Sequence, residues 1–404
     1  PTRYPPEAHP EEPGIVASRW QALRSAIEDL SQTFPDTYTK GVAWLEQLEA
    51  LQAEQDRIPT ESGKDAFASV MAQFNALHRE ALLANPLLDF ERLLVIRRRA
   101  DQPGLPMNFY GNTDIAPTGY GNTLEALPVA DPDKASEVLF TPEGDRFIGD
   151  MDLHYDGEKL LLSMPDGQGR WGIGEFDLAS RTLTPLPLID DPDVHNYDAC
   201  YLPDERIAFT STAPFIGVPC VGGRSMVANL YLRDRDGRIR RLTNDQDHNW
   251  CPTVLNNGRL LYLRWEYADI AHAFTRILFQ SGPDGSGQME YYGSNSFWPA
   301  SLFYARPVPG HPTKVIAVAG GHHDAPRQGE LILLDPALGR SEADGVVQRI
   351  PGHGEKVEPV VLDGLVSATW PRFLHPYPLS GKYFLVSCKP SKDALWGIYL
   401  VDIF

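Results

Sequence analysis

Two stretches of the chain, HNYDACYLPDERIAF (195–209) and HNWCPTVLNNGRLLY (248–262), repeat one pattern. Each begins with His-Asn and an aromatic residue, passes through a turn of Pro, Asp, Asn or Gly, and ends with Arg and an apolar run. Short runs of β-branched and aromatic residues between turn residues are typical of strands. A strand unit that recurs along a chain predicts a repeat architecture.

The same unit can be followed through residues 85–404. A basic residue leads an apolar strand at Arg92, Lys159, Arg206, Arg259, Lys314 and Lys382. These units are spaced roughly 45 to 70 residues apart and carry three or four short strands, which is typical of propeller blades. The sequence therefore predicts an all-β fold, a six-bladed β-propeller with room for a seventh blade. The final unit ends after two strands, which predicts either that residues around Leu87 to Arg99 complete the last blade or that the chain is a fragment of something longer.

Residues 1–84 have a different hydrophobic pattern. After an extended arm, apolar residues three and four positions apart predict amphipathic helices from Ile15 to about Ala84. Such a face packs on another domain or on a partner chain. We therefore expect an N-terminal arm and α-helical segment in front of the propeller.

Composition limits the possible partners. The chain has 404 residues, a formal charge of -18 and a pI near 5.0, so its field repels nucleic acid and anionic membrane surfaces. No apolar run is long enough to span a bilayer, and the N terminus does not resemble a signal peptide. The 4 cysteines include no Cys-x-x-Cys pair, so the sequence shows neither a disulfide scaffold nor a haem attachment motif.

The repeat also aligns side chains that could bind a metal. His195 falls on His248 and Asp198 on Cys251 in the two quoted stretches, while "GDMDLHYDGEKLLLS" places Asp152 on Asp198 and His154 on Cys200. Cys220 follows in a glycine-rich loop, and His322 and His323 leave the Lys314 strand. Blades arranged around an axis would bring these positions together, and zinc takes imidazole, thiolate and carboxylate ligands.

Other interpretations of the same residues stay open. His195 and His248 could cap strand ends by hydrogen bonding across blades, and Cys200 and Cys388 could be buried apolar residues. Cys220 could be a thiolate ligand or a disulfide partner. The aromatic run "QMEYYGSNSFWPASLFYARP" (288–307) could line a sugar cleft with Tyr291 and Tyr292, or it could fill the space between blades.

Longer strings carry a family resemblance: GVPCVGG (217–223), QMEYYGSNSFWP (288–299), YARPVPGHPTKVIAV (304–318) and WGIYLVDIF (396–404). With them, residues 85–404 resemble bacterial propeller proteins, many from planctomycetes, that are related to the hydrazine synthase alpha subunit. The resemblance implies an exported, periplasmic or extracellular protein whose propeller is followed by domains with c-type haem. It also implies a zinc ion bound by an Asp, a Cys and a His.

Within this chain, Cys220 is similar to that cysteine and His248 to that histidine, with Cys251 as a competitor and Asp114 or Asp152 as the carboxylate. The expected metal ligands are therefore Cys220, His248, Cys251, Asp152, Asp114 and His195, for zinc or another divalent metal. Because the chain has no Cys-x-x-Cys-His, haem would lie on a missing segment or a partner chain.

Three functions follow as hypotheses. The chain could be the propeller portion of a haem-associated redox protein with a metal on one face. Alternatively, it could be a non-catalytic binding or assembly module of a larger complex. The third hypothesis is a carbohydrate-active propeller enzyme that uses central histidines and Tyr291 or Tyr292.

Overall fold

A computed structural model describes residues 13–59, 64–131, 133–267, 275–323, 326–352 and 354–403. The chain divides into two compact units. The first comprises Pro1–Val95 and Ala126–Glu137, and the second Ile96–Glu125 and Val138–Phe404. The expected arm at residues 1–12 lies outside the described part of the chain. The boundary after residue 84 stays a prediction.

The first unit contains three helices, α1 (Pro13–Thr33), α2 (Gly41–Gln55) and α3 (Lys64–Leu83). Apolar residues at helical spacing give each helix one buried face. Trp20 and Phe74 are buried there, with their ring centroids 4.4 Å apart. The prediction of an N-terminal helical segment is confirmed.

A three-stranded sheet follows, with the strand order β1-β2-β3. Its strands are β1 (Arg92–Arg97), β2 (Thr123–Pro128) and β3 (Glu137–Phe140). The long connection between β1 and β2 contains Arg98 and the segment 103–122, which belong to the second unit. This connection supplies several residues to the site described below.

Four modules of four antiparallel strands form most of the second unit, and a module of three strands follows them. Within each module, successive strands are paired, as expected for meanders joined by short turns. One parallel pair, Arg276 with Ser301, joins the third module to the fourth. The strands are β4 (Met151–Leu153), β5 (Lys159–Pro165), β6 (Trp171–Asp177), β7 (Thr182–Pro185); β8 (Asn196–Tyr201), β9 (Ile207–Ser211), β10 (Asn229–Arg233), β11 (Ile239–Arg241); β12 (Asn249–Val254), β13 (Leu260–Trp265), β14 (Arg276–Ser281), β15 (Met289–Tyr292); β16 (Ser301–Pro307), β17 (Val315–Gly320), β18 (Glu330–Leu334), β19 (Val346–Ile350); and β20 (Arg372–Pro378), β21 (Tyr383–Lys389), β22 (Gly397–Asp402).

The first strands of the modules line a common centre. β4 contacts β8, β8 contacts β12, β12 contacts β16, and β16 contacts β20. The inner strands β9, β14 and β17 are buried along their whole length, because sheets pack on both of their faces. The prediction of an all-β fold behind a helical segment is confirmed, whereas six or seven blades stays a prediction.

The basic residue of the repeat marks the second strand of each module. Lys159 begins β5, and Arg206, Arg259, Lys314 and Lys382 lie at or just before the starts of β9, β13, β17 and β21. The strand in front of the basic residue is therefore the central one. His195 and His248 stand directly before two of these central strands, β8 and β12.

Four central strands carry the same irregularity. The pairing register shifts in β8, β12, β16 and β20 against the following strand. Each shift includes one non-glycine residue with a positive φ, namely Asp198 (53°), Cys251 (52°), Tyr304 (55°) and His375 (46°). A bulge re-aims a side chain, and strained backbone of this kind concentrates at functional sites.

Strand pairing corrects one sequence alignment. Asp152 pairs with Leu161, the second residue after Lys159, and Cys200 pairs with Ala208, the second residue after Arg206. Asp152 therefore corresponds to Cys200, not to Asp198, and the placement of His154 on Cys200 is also wrong. The residue that corresponds to Asp198 is Asp150. The alignment failed because the β4–β5 turn is one residue longer than the β8–β9 turn: six residues separate Leu153 from its partner Leu160, and five separate Tyr201 from its partner Ile207.

Candidate functional site

The bulged positions converge at the centre of the second unit, which we call the hub: Asp150, Asp198, Cys251, Tyr304 and His375, with the arginines described below. Ser163 links two of them, since its backbone N–H donates to the Asp150 carbonyl (3.1 Å) and its hydroxyl oxygen accepts from the Asp198 N–H (2.9 Å). The backbone N–H of Cys251 donates to the Asp198 carboxylate. The rings of Tyr304 and His375 lie 4.0 Å apart.

Arg327 brings positive charge to the hub from the loop between β17 and β18. Its guanidinium lies 4.1 Å above the Trp250 ring, and its Nη2 donates to the Tyr110 carbonyl (2.6 Å). Its Nη1 donates to Asn112, which in turn donates to the Asp150 carboxylate. Arg327 therefore fixes both an aromatic face and the carboxylate next to it.

Arg98 and Arg306 supply two further cations. The Arg98 guanidinium lies 4.3 Å from the Phe147 ring and donates to the carbonyls of Pro103 (3.1 Å) and Ile148 (2.5 Å). Arg306 pairs with Asp152 at 3.4 Å. Three guanidiniums and three carboxyls thus meet in the hub.

Burial sets the protonation of the hub. Desolvation, reinforced by the Asp150 charge, raises the pKa of Asp198 to about 8. Desolvation together with Arg98 lowers the pKa of His375 to about 3. Burial also raises the pKa of the Cys251 thiol well above its usual range. At neutral pH the hub therefore contains a protonated carboxyl, a neutral imidazole and a thiol.

A second cluster lies where the central strands begin, at the edge that also carries the loops after β9, β13, β17 and β19. We call this edge the loop face. His322, His323 and Asp363 place one potential ligand atom each within 4.8 Å of one another. No other such group of three or more His, Cys, Asp or Glu residues occurs in the described part of the chain.

Short contacts hold this cluster together. His323 Nδ1 lies 3.1 Å from both Asp363 oxygens, and the backbone N–H of His322 donates to the Asp363 carbonyl (2.9 Å). The buried Arg276 donates through Nη1 to Nδ1 of His322 at 2.8 Å. Burial lowers the pKa of Arg276 to about 9, so its guanidinium remains charged at neutral pH.

His195 and His248 cap neighbouring modules. Nδ1 of His195 accepts the backbone N–H of Trp171 (3.2 Å), and Nδ1 of His248 accepts that of Ala228 (3.1 Å). His248 is fully buried and stacks on Trp250, with ring centroids 4.1 Å apart. Burial lowers the pKa of both histidines. Both therefore hold the start of one module against the third strand of the preceding module.

The other expected metal ligands are distributed over the two clusters. Cys220 is exposed, and its pKa is raised by burial and lowered by the nearby Arg276, which places it beside the loop-face cluster. Asp114 accepts the Ser225 hydroxyl (2.7 Å), and burial raises its pKa. Asp152 and Cys251 belong to the hub. Cys220 has no disulfide partner among the described cysteines.

The six expected ligands do not form a three-residue cluster of their own within the described ranges. The sequence analysis did not select Tyr304, His375, Arg98, Arg327 or Asp363. Asp198 and Cys251 each lie 8 residues before the basic residue of their unit, whereas Tyr304 and His375 lie 10 and 7 residues before Lys314 and Lys382, so aligning the units on that residue does not find them. Arg98, Arg327 and Asp363 lie in connections that carry no repeat signal.

The aromatic run at 288–307 does not form a sugar cleft. Tyr291, Tyr292 and Trp298 are buried in one apolar cluster between strands. The Tyr291 hydroxyl donates to the Thr313 carbonyl and the Tyr292 hydroxyl to the Glu342 carbonyl (2.6 Å). These rings fill the space between modules, as one of the two interpretations of the run predicts.

Antiparallel modules whose first strands share one centre define a β-propeller protein. Its fold is similar to that of hydrazine synthase from Kuenenia stuttgartiensis, with a TM-score of 0.58 and 14% sequence identity. The match covers 78% of this chain and 44% of that one, so this chain spans less than half of the hydrazine synthase chain. The similarity supports the propeller class.

More distant solved structures also match. A TolB protein from Agrobacterium tumefaciens has a TM-score of 0.42 and 17% identity, over 70% of this chain and 84% of that one. A gluconolactonase from Xanthomonas campestris has a TM-score of 0.41 and 12% identity, over 69% and 79% of the two chains. Neither a protein-family model nor a curated protein sequence matches the chain.

Proposed function

We propose that this chain is the propeller portion of a metal-binding protein that acts outside the cytoplasm, with a divalent transition metal such as zinc on its loop face. The carrying observation is the convergence of His322, His323 and Asp363. Imidazole and carboxylate are ligands that zinc accepts, and three protein ligands leave a coordination position open. A metal bound there would supply Lewis-acid chemistry.

The residues around this cluster support the proposal. Asp363 is 64% exposed and His323 58% exposed on their side chains, so an ion can reach them from solvent. Nδ1 of His323 lies 3.1 Å from the Asp363 oxygens, close enough for one metal ion to bind both groups. The neighbouring Asp363 also favours the approach of a cation.

Arg276 controls the third ligand. An arginine can only donate, so its contact makes Nδ1 of His322 an acceptor and covers that lone pair. A metal would take this lone pair only after the guanidinium turns away. Arg276 is therefore not a ligand: its guanidinium must be displaced before a metal can bind His322.

Any haem that acts with this propeller would be bound outside this sequence. The family resemblance implies c-type haem next to the propeller, and this chain has no Cys-x-x-Cys-His. We expect a partner chain or a further segment to carry it. Within the described residues, no helix combines the length and apolarity needed to cross a bilayer.

Zinc titration of the purified chain by calorimetry, followed by metal analysis, tests the site. We expect His323→Ala and Asp363→Ala each to weaken zinc binding about 10- to 100-fold. His311→Ala, whose imidazole only accepts backbone N–H groups in a turn, is the matched control. Unchanged zinc affinity in both cluster variants would overturn the proposal. Cys220→Ala adds a second readout: unchanged binding assigns the metal to the His322 cluster, and loss of binding assigns it to Cys220 instead.

A second candidate function, docking of a partner subunit, is favoured by one feature of the loop face. Val360, Val361 and Leu362 are 47%, 64% and 55% exposed and directly precede Asp363. Contiguous exposed apolar residues mark interaction sites. If the module docks a partner, a subunit that co-purifies with the wild-type chain is lost from Val361→Asp. A partner retained equally by both chains excludes this surface.

A further inference from the structure

A partly open cavity of about 20 Å³ lies in the hub beside the bulged strands. This space holds about one water-sized group or small ion. Its wall is formed by the 103–115 connection and by polar side chains of the central strands. The lining residues that matter here are Arg98, Asn112, Asp150, Tyr304 and His375.

Charge around the cavity is positive. His375 faces the electrostatic field of three guanidiniums, Arg98, Arg306 and Arg327. Asp152 pairs with Arg306, and Asp150 lies in the field of Arg327 and Arg98. Asp198 is the third carboxyl, and once it carries a proton the guanidiniums outnumber the carboxylates. Excess buried charge is costly unless a counter-charge is present.

Hydrogen-bond donors also face the cavity. Nε of Arg98 is buried and has no hydrogen-bond partner among the described residues, although both of its terminal nitrogens donate to carbonyls. Tyr304 contributes a hydroxyl, and the neutral His375 ring contributes one N–H. Burial raises the pKa of Tyr304, so its hydroxyl keeps its proton.

We propose that the hub cavity binds a monovalent anion of halide size, held by Arg98, Tyr304 and His375. This site is separate from the metal cluster and does not rest on the proposed function. The excess positive charge supplies the attraction, and the volume of the cavity fits a small ion. The bulges supply the geometry, because they turn Tyr304 and His375 toward the same space.

Anion binding is coupled to a proton on Asp198. The groups that face this carboxyl come from the surrounding elements: Asp150 from the β4 side, Cys251 from β12, Tyr304 and Arg306 from β16, Cys200 from β8 itself, and Arg327 from the β17–β18 loop. Because its pKa is about 8, Asp198 is protonated at pH 7 and ionised at pH 9.5. An ionised Asp198 would cancel the excess charge, so the anion leaves as the pH rises.

Bromide titration by calorimetry in chloride-free gluconate buffer tests the proposal. For the wild-type chain we expect a dissociation constant that rises about 30-fold from pH 7 to pH 9.5 through this linkage. Asp198→Asn, which is neutral at every pH, should bind bromide with the pH 7 affinity throughout this range. Arg98→Gln should lose more than about tenfold in affinity at pH 7.

Tyr304→Phe is a second variant that controls for a folding defect in Arg98→Gln, because it removes only a hydroxyl. We expect it to fold normally and to bind bromide several-fold more weakly. Equal bromide affinity in the wild-type, Arg98→Gln and Tyr304→Phe chains would overturn the site. The same pH dependence in Asp198→Asn and the wild type would overturn the proton coupling.

Anomalous diffraction from a bromide-soaked crystal should place the ion between Arg98 and His375. A bromide peak found only at another place would count against the proposal.

Discussion

The hub and the loop-face cluster use the same side-chain types in opposite surroundings. Both combine histidine, aspartate and arginine. In the hub, His375, Asp152 and Asp198 lie on paired strands and Asp198 is buried, whereas His323 and Asp363 lie in loops and are more than half exposed. Burial raises the pKa of Asp198 to about 8, while contact with His323 lowers the pKa of Asp363.

This difference separates two kinds of polar site. A buried network on strands must balance its charges internally, so it changes protonation and selects a small counter-ion. An exposed pair in loops keeps its carboxylate ionised and can rearrange around a cation. Substitutions and pH changes at the hub are therefore expected to change the free energy of unfolding. Substitutions at the loop face are expected to change the affinity for metal.

Replacement of Arg327 should give the largest loss in the free energy of unfolding. We expect Arg327→Ala to destabilise the fold by about 3 to 5 kcal/mol, because a buried carboxylate and several hydrogen-bond acceptors lose their cation. The side chain is 2% exposed, and its guanidinium lies 4.1 Å above Trp250. Urea unfolding measures the loss.

Arg170→Ala is the matched arginine variant at the loop face. Arg170 is 37% exposed and pairs with Asp166 and Asp190, and such pairs contribute at most about 1 kcal/mol. Equal losses in the two variants would remove the distinction between the hub and the loop face.

The pH dependence of stability should give the next largest effect. A carboxyl whose pKa is raised in the folded state binds protons that the unfolded chain has lost, so stability falls as pH rises between the unfolded pKa, about 4, and the folded value. For Asp198 this window ends at about pH 8. Between pH 6.5 and 8 we expect the wild-type chain to lose about 2 kcal/mol.

The histidines and Asp247, whose pKa values are also shifted, change the free energy of unfolding mainly outside this pH range. Lowered pKa values of histidines, such as His375 at about 3, raise stability with pH only up to about 6.5. The raised pKa of Asp247, about 6, acts at lower pH. Asp198→Asn should abolish most of the loss between pH 6.5 and 8, and Asp363→Asn should leave it unchanged. A wild-type curve that stays level there contradicts the protonation assigned to the hub.

The repeat could be predicted from the sequence because turn residues and apolar runs are local signals. The heads of two central strands, His195 and His248, stood out because their whole unit is repeated. Asp198 and Cys251 were aligned correctly for the same reason. Asp150 was missed, because a turn that is one residue longer shifted its unit against Lys159, and a register shift is invisible in composition.

The remaining site residues depend on long-range packing. Arg98 meets His375 only because the chain closes around one centre, and Asp363 meets His323 across a loop that has no counterpart in the other units. Pairing of these residues follows from the tertiary fold, for which a single sequence carries no local signal. The role of His248 as a cap likewise required its backbone partner, Ala228.

The smallest expected effect on zinc affinity concerns Arg276, a buried cation that contacts the proposed ligand His322. Replacement by Gln removes a positive charge next to His322 and frees Nδ1 of that ring more easily. We expect Arg276→Gln to raise zinc affinity about tenfold, whereas it would lower affinity if the guanidinium positioned the ligands. Arg264→Gln, which removes a β13 arginine paired with Asp245 in the β11–β12 connection, is the matched control and should leave zinc affinity unchanged. Near-ultraviolet circular dichroism of both variants checks that the aromatic packing around Trp265 is retained, since Arg276 lies 4.4 Å above that ring. A tenfold gain in Arg276→Gln alone would show that the two regions differ in how arginine acts: in the hub it balances buried carboxyls, and at the loop face it competes with the metal.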